Sequence, residues 1–263
     1  MSAWWLYLAT GAFSGVMAGL LGVGGGLIIV PVLSFIFVRQ HFAPAYIVHL
    51  ALGTSLATIM FTSISSVQAH HWRAAVAWRV IARITPGIVL GTLLGTFWAA
   101  NLSASHLKLF FVIFVFYAAT QMILDIKPKA GRSLPGALGM FIVGSIIGCV
   151  SGMVGIGGGT LSVPFLLWGA LPMRTAIGTS AAIGFPIAVA GALGYVLNGL
   201  KMGDLPAGSL GFVYLPALAG LAIASVLVAP LGAKLAHQLP VARLKKIFGV
   251  FLYVVALRML IAF

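Results

Sequence analysis

The chain has 263 residues, of which 62% are hydrophobic and only 6% charged, with a mean hydropathy of +1.17. A soluble domain carries about a quarter of its residues as charges, so a water-facing exterior is excluded and lipid is the main solvent. The 15 Lys and Arg stand against 2 acids, a formal +13, and they lie between apolar runs, where they suit cytoplasmic loops and anionic headgroups rather than nucleic acid.

At about 20 apolar residues per crossing, the length allows roughly eight or nine crossings and no sizeable extramembrane domain. The first uncharged run, 4–38, begins at Trp4-Trp5, which suits a membrane interface. No Lys or Arg precedes Arg39, so the start lacks the basic region of a signal peptide and reads as a retained first span. That run is too long for one straight helix. Its middle is Gly22-Val23-Gly24-Gly25-Gly26, which predicts two helical pieces meeting at glycine. Further spans are predicted over 44–67, 81–100 and 107–124. A polar linker then runs from Asp125 through Lys127, Lys129 and Arg132, dividing the chain into units 1–125 and 135–263 joined by 126–134.

The second unit repeats the first. Gly11-x-x-x-Gly15-x-x-x-Gly19 and the glycine run, followed by Val30-Pro31, return as Gly144-x-x-x-Gly148-x-x-x-Gly152 and Gly155-Ile156-Gly157-Gly158-Gly159, followed by Val163-Pro164. The offset is 133. Gly53-Thr54-Ser55 returns as Gly178-Thr179-Ser180 at an offset of 125, and Leu107-Lys108 as Leu244-Lys245. The expected fold is an all-α integral membrane protein of about eight transmembrane helices, a tandem duplication of a four-span unit with glycine-broken helices in each half. Whether the halves are parallel or inverted stays open, because the break prevents a count of crossings. Duplications of this kind are the usual architecture of secondary transporters, with the site between the halves.

Inside a bilayer, a glycine-rich break is tolerated only against protein or a water-filled cavity. A helix starting just after Gly26 or Gly159 directs its free N–H groups and positive dipole end at that space, which favours an anion. Gly24, Gly25, Gly26, Gly157, Gly158 and Gly159 are therefore substrate-binding candidates. The Gly-x-x-x-Gly series reads as close helix packing, within the chain or in a homo-oligomer. Gly22-x-Gly24 is not a nucleotide loop, having neither a preceding strand nor a following Lys-Ser/Thr. Thr54, Ser55, Thr179 and Ser180 could back-bond to their own helices, but their recurrence beside each break makes them candidate donors to the same anion.

His49 and its repeat equivalent Arg174 are candidate proton or anion partners, although a residue near a helix start also fits an interfacial role. Arg83 can enter the cavity or snorkel to the surface, and snorkelling is favoured. His41 and the His70-His71 pair read as solvated loop residues. The lone Cys149 cannot close an intrachain disulfide, and no Cys/His framework has ligand spacing, so neither metal nor cofactor is expected. Asp125 and Asp204 both lie beside predicted loops, which excludes a paired-carboxylate site and gives no buried acid for ion coupling.

At Gly-Val-Gly-Gly-Gly-x-x-x-Val-Pro, its Gly-Ile-Gly-Gly-Gly-x-x-x-Val-Pro repeat and the two Gly-Thr-Ser blocks, the sequence resembles the TauE/SafE (sulfite exporter, DUF81) family over nearly its whole length. The resemblance implies a polytopic transporter of sulfur-containing anions such as sulfite or organosulfonates, with the glycine runs and Thr-Ser pairs as its central motifs. The expected function is a secondary transporter working by alternating access with proton coupling, in the cell membrane, and in the inner membrane of a Gram-negative source. An anion channel and a non-transporting receptor or assembly subunit are the alternatives. A rhomboid-type protease is set aside because the Gly-Thr-Ser block occurs in both halves, whereas a protease needs one nucleophile with one histidine on another span.

Overall fold

The computed structural model describes residues 4–22, 24–124, 133–238 and 241–262. The apolar runs form ten helices among the described residues: α1 (Trp4–Leu21), α2 (Gly26–Arg39), α3 (Ile47–His71), α4 (Trp78–Asn101), α5 (Ala104–Leu124), α6 (Ala137–Val154), α7 (Gly159–Trp168), α8 (Met173–Gly199), α9 (Leu215–Gln238) and α10 (Val241–Ala262). Seven of these, α1, α3, α4, α5, α6, α8 and α9, are long and apolar enough to cross a membrane. The chain is an all-α, multi-pass membrane protein. Each half holds five helices rather than four spans because the first apolar run is two helices. With 14 and 10 residues, α2 and α7 are about 21 and 15 Å long, short of a hydrocarbon core of about 30 Å.

At each break the chain turns back. Tyr7 near the start of α1 and Gln40 at the end of α2 are hydrogen-bonded (Gln40 Nε2 to Tyr7 Oη, 3.0 Å), which closes a helical hairpin at its base. The turn needs a left-handed residue at the start of each returning helix. Gly25 (φ 78°) and Gly158 (φ 75°) supply it, at a conformation that costs a residue with a Cβ about 1 kcal/mol or more.

The helices of the two halves interlock. The most extensive contacts are α4 with α6 and α1 with α9, both across the repeat, and both run parallel. A Cβ at Gly87, Gly91 or Gly95 of α4 would collide with the carbonyls of Phe141, Ser145 and Cys149 on α6. One at Gly11, Gly15 or Gly19 of α1 would meet Leu221, Ser225 and Ala229 on α9. The small-residue faces therefore serve packing inside the chain.

The long helices α3 and α8, which are repeat equivalents, cross at the centre in opposite directions: Gly53 lies against Tyr195, Gly191 against Leu56, and Gly178 against His70. Equivalent helices that run antiparallel mean that the halves are inverted, and an odd number of helices per half produces that outcome. Inversion also collects the cations. The connection ends bearing Arg73, Arg79 and Arg83, Arg174, Lys234, and Arg243, Lys245 and Lys246 all fall at one end, which is termed the basic end below; Arg39, Lys108, Lys201 and Arg258 fall at the other. The residues of the linker, including Asp125, Lys127, Lys129 and Arg132, lie outside the described residues.

A two-stranded hairpin, β1 (Ser209–Leu210) with β2 (Val213–Tyr214), interrupts the α8–α9 connection. Its turn drives Phe212 into the protein, where the Phe212 N–H reaches the Tyr195 carbonyl (3.2 Å) and the ring stacks on His49.

Candidate functional site

The two glycine breaks meet backbone to backbone at the centre. A Cβ on Gly24 would sit 3.0 Å from the Gly157 Cα, and one on Gly26 would strike the Gly155 carbonyl. Gly24 and Gly157 are repeat equivalents, so their contact marks the pseudo-two-fold axis. The first turns of α2 and α7 both begin here. Each leaves N–H groups without intrahelical acceptors, and two positive dipole ends converge on one region in the hydrocarbon layer.

The Gly-Thr-Ser blocks bind that region together reciprocally. Ser55 Oγ donates to the Gly155 carbonyl (2.8 Å), and Ser180 Oγ donates to the Gly22 carbonyl (3.1 Å). Thr54 Oγ1 accepts the Tyr214 N–H (2.9 Å), and Thr179 Oγ1 accepts the Ala77 N–H (2.9 Å). Gly53 and Gly178 lack the Cβ that would collide with the carbonyls of Phe212 and Ala75. Every one of these contacts crosses from one half to the other. All four hydroxyl residues are fully buried, and in this conformation each is engaged by the opposite half's backbone. Ser180 Oγ also meets Ser162 Oγ on α7 (2.7 Å).

A small cavity adjoins the paired breaks, bounded by Gly22, Gly24 and Gly157, by Ser63 and Ser66 of α3, and by Gly184 of α8. It offers about 10 Å³ to the centre of a water-sized sphere, enough for one water. Ser66 Oγ, on a residue 2% exposed, has no hydrogen-bond partner among the described residues. An orphaned hydroxyl in a bilayer-embedded core costs about 1–3 kcal/mol; Thr92, Ser151 and Thr160 carry buried hydroxyls in the same state, and of these four Ser66 is the one that borders the cavity.

Ser66 belongs to a column. Thr54, Thr58, Thr62, Ser66 and His70 stand at four-residue intervals along α3, all buried, from the break to the basic end. Their equivalents on α8 are Thr179, Ile183, Ile187, Gly191 and Tyr195, so the polar column exists in the first half only. Its end groups stay equivalent in one respect: His70 Nε2 lies 3.0 Å from the Gly19 carbonyl, and Tyr195 Oη donates to the Gly152 carbonyl (3.1 Å). The expectation that His70 is a solvated loop residue is corrected, because α3 runs on through His71 and packs His70 against α1 and α8. The four-residue spacing from Thr54 was the signal for it.

The proposed charged partners are not gathered at the breaks. His49 is buried one turn before Leu52, with Nε2 shared between the carbonyls of Ala99 (3.1 Å) and Leu102 (3.2 Å), so it holds the α4–α5 turn. Arg83 and Arg174 are exposed at the basic end. Trp4 and Trp5 are exposed near the opposite end, and Cys149 is half-buried on α6.

A family profile described as "Sulfite exporter TauE/SafE" matches residues 7–259. Among curated relatives, a "Probable membrane transporter protein" of Haemophilus influenzae is 38% identical over 97% of both chains. Another of that description from Methanocaldococcus jannaschii is 28% identical, covering 97% of this chain and 95% of its own. No solved structure matches the chain.

Proposed function

Because the chain belongs to the sulfite exporter TauE/SafE family and its relatives are named as membrane transporters, we propose that it is a secondary transporter moving small sulfur-containing anions across the cell membrane by alternating access. The substrates are of the sulfite or organosulfonate class. The observation that carries this reading is the convergence of the α2 and α7 first turns at the Gly24–Gly157 contact, beside a cavity into which Ser66 presents a hydroxyl without a partner. Glycine lets an oxyanion approach the backbone N–H groups of both breaks, and the low-dielectric surroundings strengthen each such bond.

Inverted halves account for the alternation. The same reciprocal bonds, Ser55 to Gly155 and Ser180 to Gly22, hold equivalent elements facing opposite ends. Loosening one set while keeping the other opens the central site to one side, and exchanging the two opens it to the other. One of the two acids, Asp204, lies exposed in the α8–α9 connection, and the other, Asp125, falls outside the described residues. The coupling proton therefore travels on a histidine or on the anion itself, and His70, at the end of the polar column, is placed for the first role.

Flux into proteoliposomes tests the proposal with sulfite, thiosulfate, sulfate and a small sulfonate, each with and without a pH gradient. Saturable, gradient-dependent flux of a sulfur anion is expected, with loss of that flux in Thr54→Val/Thr179→Val. An absence of flux for all four anions under every gradient would overturn the assignment.

A further inference from the structure

Helices α3 and α4 follow one another in the chain yet pack on α8 far more than on each other. Between them runs a groove of about 780 Å³ with α8 as its floor. That volume falls within the range of small-molecule sites. The floor is made by Ala182, Pro186 and Ala190, and both alanines are only 4% exposed. The walls stand out from it, since Ile64 of α3 and Val89 and Leu93 of α4 are exposed. The groove is thus a recess with a buried floor, and at the middle of these helices its mouth faces lipid.

Position along the helices gives the groove one polar end. α3 ends and α4 begins at the basic end, and Gln68, His71 and Trp78, from that last and first turn, form the rim there. Trp78 Nε1–H donates to His71 Nδ1 (3.2 Å), which ties α3 to α4 across the rim. Deeper along α4 the lining is Ile81, Thr85, Val89 and Leu93, with the Thr85 hydroxyl engaged by the Ile81 carbonyl (2.8 Å). From Trp78 to Leu93 is about 22 Å along the axis, more than the roughly 15 Å half-thickness of a hydrocarbon core. Arg79 adjoins Trp78 and Arg83 stands one turn further on, both exposed. The cations gathered at this end far outnumber the 2 acids of the whole chain, of which Asp204 lies at the opposite end. Carboxylates of the chain therefore cannot balance them, whereas anionic headgroups of the adjoining leaflet can.

We propose that an anionic glycerophospholipid of the leaflet at the basic end lays one acyl chain in this groove, with its phosphate at Arg79 and Arg83. A neutral lipid would fill the groove without using the arginines, and a soluble anion would use the arginines without filling the groove. The site is separate from the central one and stands whatever that one carries.

Native mass spectrometry of the purified full chain in a neutral detergent tests it without measuring flux. The probes are dioleoyl phosphatidylglycerol, phosphatidylcholine of the same chains, and glycerophosphoglycerol. The first phosphatidylglycerol should bind about tenfold or more tightly than the first phosphatidylcholine, and the chainless headgroup should neither bind nor compete. Arg79→Gln/Arg83→Gln should remove that preference, whereas Arg39→Gln/Lys201→Gln, an equal loss of charge at the opposite end, should keep it. Val89→Trp, which fills the groove from its wall and leaves both arginines in place, should weaken phosphatidylglycerol binding roughly fivefold or more. Ile113→Trp, on the exposed face of α5, should not. Equal affinity for the two lipids, a preference that survives Arg79→Gln/Arg83→Gln, or wild-type binding by Val89→Trp would overturn the proposal. So would a protein dimer that Val89→Trp dissolves, since a second copy would then occupy the groove.

Discussion

Ser55 and Ser66 lie three turns apart on α3 and do opposite things with the same hydroxyl. Ser55 Oγ satisfies the Gly155 carbonyl of the other half, whereas Ser66 Oγ satisfies nothing among the described residues. Removing a buried donor strands its acceptor, so Ser55→Ala should destabilise the protein by about 1–3 kcal/mol. Ser66→Ala removes a group that already lacks a partner and should leave thermal stability unchanged or slightly raised. Its effect should fall on substrate: the half-saturating anion concentration should rise roughly tenfold, the worth of one hydrogen bond to a charged group. Thermal unfolding in detergent, measured beside flux, separates the two. Equal destabilisation by both variants would remove Ser66 from the site. Hydroxyls were legible in the sequence as a class, but which of them reach the other half was not, because that depends on backbone carbonyls and N–H groups that lie about a hundred or more residues away.

At the level of elements, what positions the site is the contact of backbone with backbone. In lipid, helices gain little from apolar burial against one another, so close approach through small residues carries the association. On α4 and α6 the glycines alternate sides: Gly87, Gly91 and Gly95 receive α6, and Gly144, Gly148 and Gly152 receive α4. Gly91→Leu must push the Ser145 backbone away and should abolish monodisperse protein on size-exclusion chromatography. Gly136→Ala, where an added Cβ meets nothing within 4 Å, should behave as wild type. If Gly91→Leu is tolerated, the interlock does not carry the fold. The role of these glycines as packing faces could be read from their spacing, but their partner could not. Small-xxx-small spacing gives a face without naming what lies on it, and here each face receives a helix of the opposite half.

For the whole molecule, inversion settles how the charges can be distributed. A simple alternation of eight spans would put Arg73, Arg79 and Arg83 on one side of the membrane and Lys234, Arg243, Lys245 and Lys246 on the other. The hairpins α1–α2 and α6–α7 return the chain to the end from which it came, and with them these cations share one end. Connections rich in Lys and Arg stay in the cytoplasm, so the basic end should face inward and the starts of α1 and α3 outward. In a Cys149→Ser background, Arg79→Cys should react with a membrane-impermeant maleimide only after the membrane is opened, and Ser103→Cys in intact cells. The reverse pattern would invert the orientation.

Composition alone determined that the chain lives in lipid as helices, because so few charges cannot clothe a soluble surface, and periodic glycines with two copies of one motif determined its duplication and the places where helices break. Those are local or compositional properties, visible without knowing what touches what. Only the tertiary structure decided that the copies are inverted, that the breaks meet at Gly24 and Gly157, that the Thr-Ser pairs each reach across to the other half, and that His70 is buried while Arg83 and Arg174 are exposed. Each of these depends on the direction in which helices pass one another, and a hydropathy pattern reads the same in either direction.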